Sequence, residues 1–82
     1  MDAHDVLAAK VSEMRLAGVK HVVVTLWLAK DWSSKGVVKD IHAESAEIQL
    51  YVGTPQHPKL STSCVVINRR DIVKFVIEDY YV

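Results

Sequence analysis

Gly18-Val19-Lys20-His21-Val22-Val23-Val24-Thr25-Leu26-Trp27-Leu28 is the stretch on which the fold turns. Before Gly18, apolar residues recur at spacings of three and four; after it they recur at every second position. The first period belongs to an amphipathic helix and the second to a strand. From Lys20 to Lys30 the chain is β-branched and apolar, with Val22, Val24, Leu26 and Leu28 on one face. His21, Val23, Thr25 and Trp27 lie on the other, which is also half apolar, so this strand is expected to be covered on both sides.

Working back from Gly18, Ala3, Leu7, Val11 and Met14 share one face of a helix over 2–17. Asp2 can cap its start and Asp5 adds negative charge to its first turn, while Lys10 and Arg15 lie toward the end where the dipole favours cations. Gly18 can adopt the left-handed conformation that closes a helix.

Working forward, 31–36 reads as a polar turn, followed by strands at about 36–43 and 44–52. In the latter, Ala46, Ile48, Leu50 and Val52 alternate inward against Glu47, Gln49 and Tyr51 outward. The two prolines of 53–59 mark a loop, since proline cannot donate to a sheet ladder. Strands at about 61–67 and 72–78 follow, separated by Asn68-Arg69-Arg70-Asp71, and the tail 78–82 is expected to prolong the last one. The predicted class is mostly β: one domain over 1–82, an N-terminal α-helix, then five antiparallel strands in a small, strongly bent barrel.

At 82 residues the chain hides only about 60% of its unfolded surface, and half of its residues are apolar. Self-association is the simplest cover for the surplus. Ten basic and ten acidic residues balance, so no long-range field draws in a polyanion. The single cysteine, Cys64, excludes an internal disulfide, and with no signal peptide the expected compartment is the cytoplasm. The longest apolar run, Val22 to Ala29, is interrupted by Thr25 and too short for a bilayer, so no membrane association is expected.

The residues that could carry chemistry do not assemble into a motif. His4, His21, His42 and His57 lack metal-ligand spacing, and His57 with Cys64 gives two ligands where a structural zinc needs four. They read as ordinary histidines, one of them in a mobile tail, and no metal or cofactor is expected. Cys64 sits mid-strand among Ser63, Val65 and Val66, no nucleophile elbow is present, and the three glycines stand alone. No enzyme is expected. Trp32 could stack on a base or anchor a partner, or fold back onto its own barrel. Trp27 is expected beneath the helix or at a subunit contact. From Lys59 to Lys74 four cations meet one anion, with Arg69 and Arg70 together in a tight turn where at least one guanidinium must project outward. A planar guanidinium suits phosphate, and the plainer alternative is a solvated turn with an ion pair to Asp71 or a neighbour.

His21-Val22-Val23-Val24-Thr25-Leu26, then Gly36-Val37-Val38, then Ile48-Gln49-Leu50 resembles the first motif of the Sm-like family, which includes Hfq-type RNA chaperones. Val65-Val66-Ile67-Asn68-Arg69-Arg70-Asp71-Ile72-Val73-Lys74-Phe75 is similar to its second motif. Asn68 and Arg69 stand where Sm proteins have arginine then glycine, and the Hfq tyrosine-lysine-histidine signature is absent. The resemblance implies a bent five-stranded barrel whose fourth strand pairs with the fifth of the next subunit, closing a hexamer or heptamer. It further implies single-stranded RNA bound near the pore by His42, Asn68, Arg69 and Arg70, with an arginine on phosphate and Asn68 reading base edges. The alternative on the same scaffold is a protein-assembly module that binds no RNA. A small hydrolase or metal protein using His57 and Cys64 is a remote third.

Overall fold

The computed structural model describes residues 2–28, 32–54 and 57–81, and over 52–54 and 57–58 the backbone alone. The last two positions of the predicted first strand (29–30), Asp31, Pro55, Gln56, Val82 and the side chains of Val52 and His57 lie outside that description.

Helix α1 runs Ala3–Leu16, with Asp2 as its cap: the carboxylate Oδ1 accepts from the Asp5 N–H at 2.9 Å. Its far end closes as the sequence suggests. The Gly18 N–H donates to Arg15 O and the Val19 N–H to Met14 O, with Gly18 at φ 94, the paired bonds of a Schellman cap. Leu7 and Val11 are buried in the core, and Ala3 and Met14 pack against it. His4 joins the buried set rather than lying in a mobile tail, because it lies three and seven residues before Leu7 and Val11 on the buried face.

Strands β1 (His21–Leu28), β2 (Ser33–Ile41), β3 (Ser45–Thr54), β4 (His57–Asn68) and β5 (Ile72–Tyr81) follow, with a 3₁₀ turn at Arg69–Asp71. They form one antiparallel sheet in the order β4-β3-β2-β1-β5. The mostly β class, the leading helix and the five antiparallel strands are therefore as read from the sequence. The sheet is open: β4 and β5 are its borders, and no ladder joins them among the described residues.

β1 lies between β2 and β5, and Val22 to Leu26 are all buried, as expected of a strand covered on both faces. Val22, Val24 and Leu26 meet Leu7 and Val11 of α1, Val38 of β2, Ala46 and Ile48 of β3, Ile67 and Ile72 in one core. Trp27 points to the other face, so it is not beneath the helix; the Lys74 ammonium lies 5.1 Å from its ring centroid. Trp32 is 70% exposed and does not fold back.

Several boundaries move, and β2 ends at Ile41, which leaves 42–43 in the turn before β3. β2 begins at Ser33, so Ser33, Ser34 and Lys35 belong to a strand and not to a turn; they pair with Trp27, Leu26 and Thr25. The sheet supplies a ladder that three polar residues alone do not advertise. The expected loop over 53–59 is mostly hairpin: Thr54 pairs with His57 and Gly53 with Pro58. β4 has a neighbour on one side only, which is where a strand tolerates a residue with no N–H to give. No helix among the described residues is long and apolar enough to cross a membrane.

Candidate functional site

Three segments distant in sequence meet at one corner: the start of α1, the turn 42–44 between β2 and β3, and the 3₁₀ turn after β4. Backbone bonds bring the turns together. The His42 N–H donates to Ser45 O at 2.8 Å, Ser45 pairs with Asn68, and the Arg69 N–H donates to Glu44 O at 2.8 Å.

The Arg69 side chain then stitches the corner shut. Nε donates to Asp2 Oδ2 at 2.7 Å, Nη2 to Asp5 Oδ2 at 2.6 Å, and Nη1 to Ala43 O at 3.1 Å. The hydrogen bond from Arg69, followed by that from the Asp5 N–H, holds the Asp2 carboxyl below its usual range; the same bond raises Arg69. One of the two guanidiniums expected to offer a partner for phosphate is thus turned toward the acidic first turn of the helix, where two carboxylates and the helix start converge on it.

The other three predicted residues remain outward. Arg70 is exposed and forms no hydrogen bond or ion pair among the described residues. Asn68 is exposed and its amide makes no capping bond to the 3₁₀ turn. His42 is exposed, its Nε2 3.9 Å from Asp40 Oδ2. Asn68, Arg69 and Arg70 line an open pocket of about 350 Å³ together with Asp2 and Glu44. Its charged lining is two carboxylates and two guanidiniums, so it suits a ligand that offers both an anionic group and hydrogen-bonding edges.

Sequence reasoning missed Asp2, Asp5, Glu44 and His4 as members of this corner. His4 is buried, with Nε2 3.0 Å from Ser45 O. Its Nδ1 has no partner and lies 3.9 Å from Asp5 Oδ1. Asp2, His4 and Asp5 each place one ligand-type atom within 4.8 Å of the others. The signal was present as Asp-x-His-Asp across one helical turn, but Asp2 and Asp5 already had a complete explanation as cap and dipole partners. No family model, curated protein or solved structure matches the chain.

Proposed function

We propose that this chain is a self-assembling module of Sm-like type, in which β4 of one subunit pairs with β5 of the next and the copies close a ring. The observation that carries the reading is the character of the two borders. From Leu60 to Ile67, β4 holds no charged residue, and Leu60 and Val66 are exposed, Val66 by 62%. On β5, Val73, Val76, Tyr80 and Tyr81 are exposed. β5 also carries Lys74, Glu78 and Asp79, so the uncharged stretch of β4 is the less protected border. Long exposed borders are templates for pairing, and a folded protein ordinarily shortens, charges or covers them. Head-to-tail pairing of two different borders closes a ring when the rotation closes.

The connection between the borders supports a bent, barrel-like course for each subunit. A flat sheet would set β4 and β5 about 19 Å apart, at about 4.8 Å per neighbour. Asn68 and Ile72 are four residues apart, a span of about 14 Å at full extension. Curvature relieves that mismatch, and the register shifts in β1, β2 and β3 are places for it.

The ring would gather the corner turns of several copies, and the ligand proposed there is single-stranded RNA, held by Arg70 on phosphate, Asn68 on base edges and His42 beside them. Arg69 enters as the residue that fixes the corner. A second reading, a module that joins proteins and binds no RNA, is favoured by the balanced charge of the pocket lining.

Light scattering on the purified protein tests the assembly, with a mass of six or seven chains expected and with Val66→Lys shifting it toward one chain. A monomeric wild type overturns the ring. Gel shifts with uridine- or adenine-rich oligonucleotides then separate the two ligands. Retarded RNA that Arg70→Ala releases supports the first; no shift at micromolar protein and low salt supports the second.

A further inference from the structure

We propose that His4, Asp5 and Asp2 form a binding site for one borderline divalent transition metal ion of the Zn²⁺ class. The case starts from a mismatch of lone pairs. His4 is 3% exposed, and its Nε2 lies 3.0 Å from a backbone carbonyl, Ser45 O. A carbonyl only accepts, so Nε2 carries the proton and, in the neutral ring, Nδ1 carries a lone pair. That lone pair is buried with no partner and faces a carboxylate oxygen, Asp5 Oδ1, at 3.9 Å. A buried lone pair facing a carboxylate oxygen on a side chain that is 38% exposed is relieved by something positive between them, and an ion can reach the pair from the exposed side.

Arg69 does not supply it. Its guanidinium occupies Oδ2 of Asp2 and Oδ2 of Asp5, leaving Asp5 Oδ1 turned toward the imidazole. Asp2 completes the set within 4.8 Å. A tetrahedral zinc with ligands at about 2.0–2.1 Å holds them roughly 3.3 Å apart, so the His4–Asp5 pair needs to close by about half an ångström. That is a small adjustment for the Asp5 side chain, which is partly exposed; Asp2, within 4.8 Å of the other two, has to move in by up to about 1.5 Å.

The surroundings resemble those that orient metal ligands elsewhere. The distal imidazole N–H is fixed on a carbonyl, and each carboxylate is held by a guanidinium or a backbone N–H. One imidazole with carboxylates selects zinc, nickel or cobalt over magnesium and calcium, which prefer an all-oxygen shell. Three protein ligands leave a position open. The nearby Arg69 charge opposes the ion and weakens its binding. The site lies inside the corner described above, but it holds whether or not a ring forms or RNA binds.

The competing occupant is a proton on Nδ1, and the experiment separates the two. The metal-stripped full chain is titrated with ZnCl₂ at neutral pH by calorimetry, with imidazole ¹⁵N shifts recorded in parallel. The expected result is one ion per chain, a shift of His4 Nδ1 on binding with Nε2–H retained, and at least a tenfold loss of affinity in Asp5→Asn and His4→Gln. Circular dichroism shows which variants remain folded, while the wild-type ¹⁵N shifts need no variant. His21→Ala leaves binding unchanged. No heat at millimolar Zn²⁺, an Nδ1 that stays protonated throughout, or binding unaltered in folded Asp5→Asn overturns the site.

Discussion

Gly36→Ala is a one-methyl change whose cost the structure allows to be worked out. Gly36 is buried in β2, between Val24 of β1 and Leu50 of β3. A Cβ built there comes 2.3 Å from the carbonyl oxygen of Gln49, 2.9 Å from its carbon and 3.3 Å from Leu50 Cα. Real Cβ atoms essentially never approach closer than 3.0 Å, so the shortfall is about 0.7 Å. All three atoms are backbone, and no rotamer change relieves them; β2 and β3 must separate. Stretching their hydrogen bonds by that distance weakens about two of them, at about 1 kcal/mol each, and the strain on the packed interior adds about 1–3 kcal/mol. A total of about 3–5 kcal/mol lowers the melting temperature of so small a domain by roughly 12–40 °C. Gly18→Ala is the control: φ is +94 but nothing lies within 4 Å of the added methyl. Strain alone predicts about 1 kcal/mol, or roughly 4–8 °C. Thermal melts of the two variants beside wild type decide the matter. A Gly36→Ala protein melting within a few degrees of wild type refutes the close approach of β2 to β3, and with it the register on which the sheet is built.

Because Arg69 depresses Asp2, the folded state binds the Asp2 proton less readily than the unfolded chain does. The stability this contributes is present above the unfolded value and is lost as pH falls through the folded one. Arg69→Gln is therefore expected to destabilise at neutral pH, with the gap from wild type narrowing as pH falls through and below the ordinary carboxylate range; a constant gap in melting temperature refutes the pair. Tyr81 behaves in the opposite sense. Its hydroxyl donates to Asp79 Oδ2 at 3.0 Å, which raises its pKa, so that contribution is held below the tyrosine range, lost in strong alkali, and absent in Tyr81→Phe by alkaline melts. For RNA, a ring of six with one free guanidinium per subunit gives a log–log salt slope near 4, at about 0.7 per phosphate; two per subunit gives about 8. A slope near 8 would place Arg69 on the nucleic acid.

What the sequence disclosed was local. Asp2 as cap, Gly18 as stop and the spacing of Leu7 and Val11 are features of one helix, and the structure places each as read. The alternation of Ala46 and Ile48 is equally local, and both are fully buried. The failures are non-local. Ser33 to Lys35 became strand because β1 lay ready to pair with them. Pro58 entered a ladder because β4 is a border, a property of the strand order and not of the proline. Arg69 met Asp2 across 67 residues of chain, a contact that no spacing rule contains.

Arg69 and Arg70 are adjacent in sequence and read as one basic pair, but the fold gives them different work. A guanidinium bonded to two carboxylates at 2.6 and 2.7 Å has to surrender both before it can fork onto a phosphate, and surrendering them would release the helix start from the two turns it closes. Arg70 carries no such obligation among the described residues. The corner is therefore built from a latch and a free cation set side by side. The latch needs its acidic partners, which is why the turn that carries Arg70 lies next to Asp2 and Asp5. Any ligand of this corner must accept that negative neighbour, and a flexible strand, which can place a phosphate on Arg70 and a base edge on Asn68 while keeping its other charges clear, meets that condition better than a rigid duplex does.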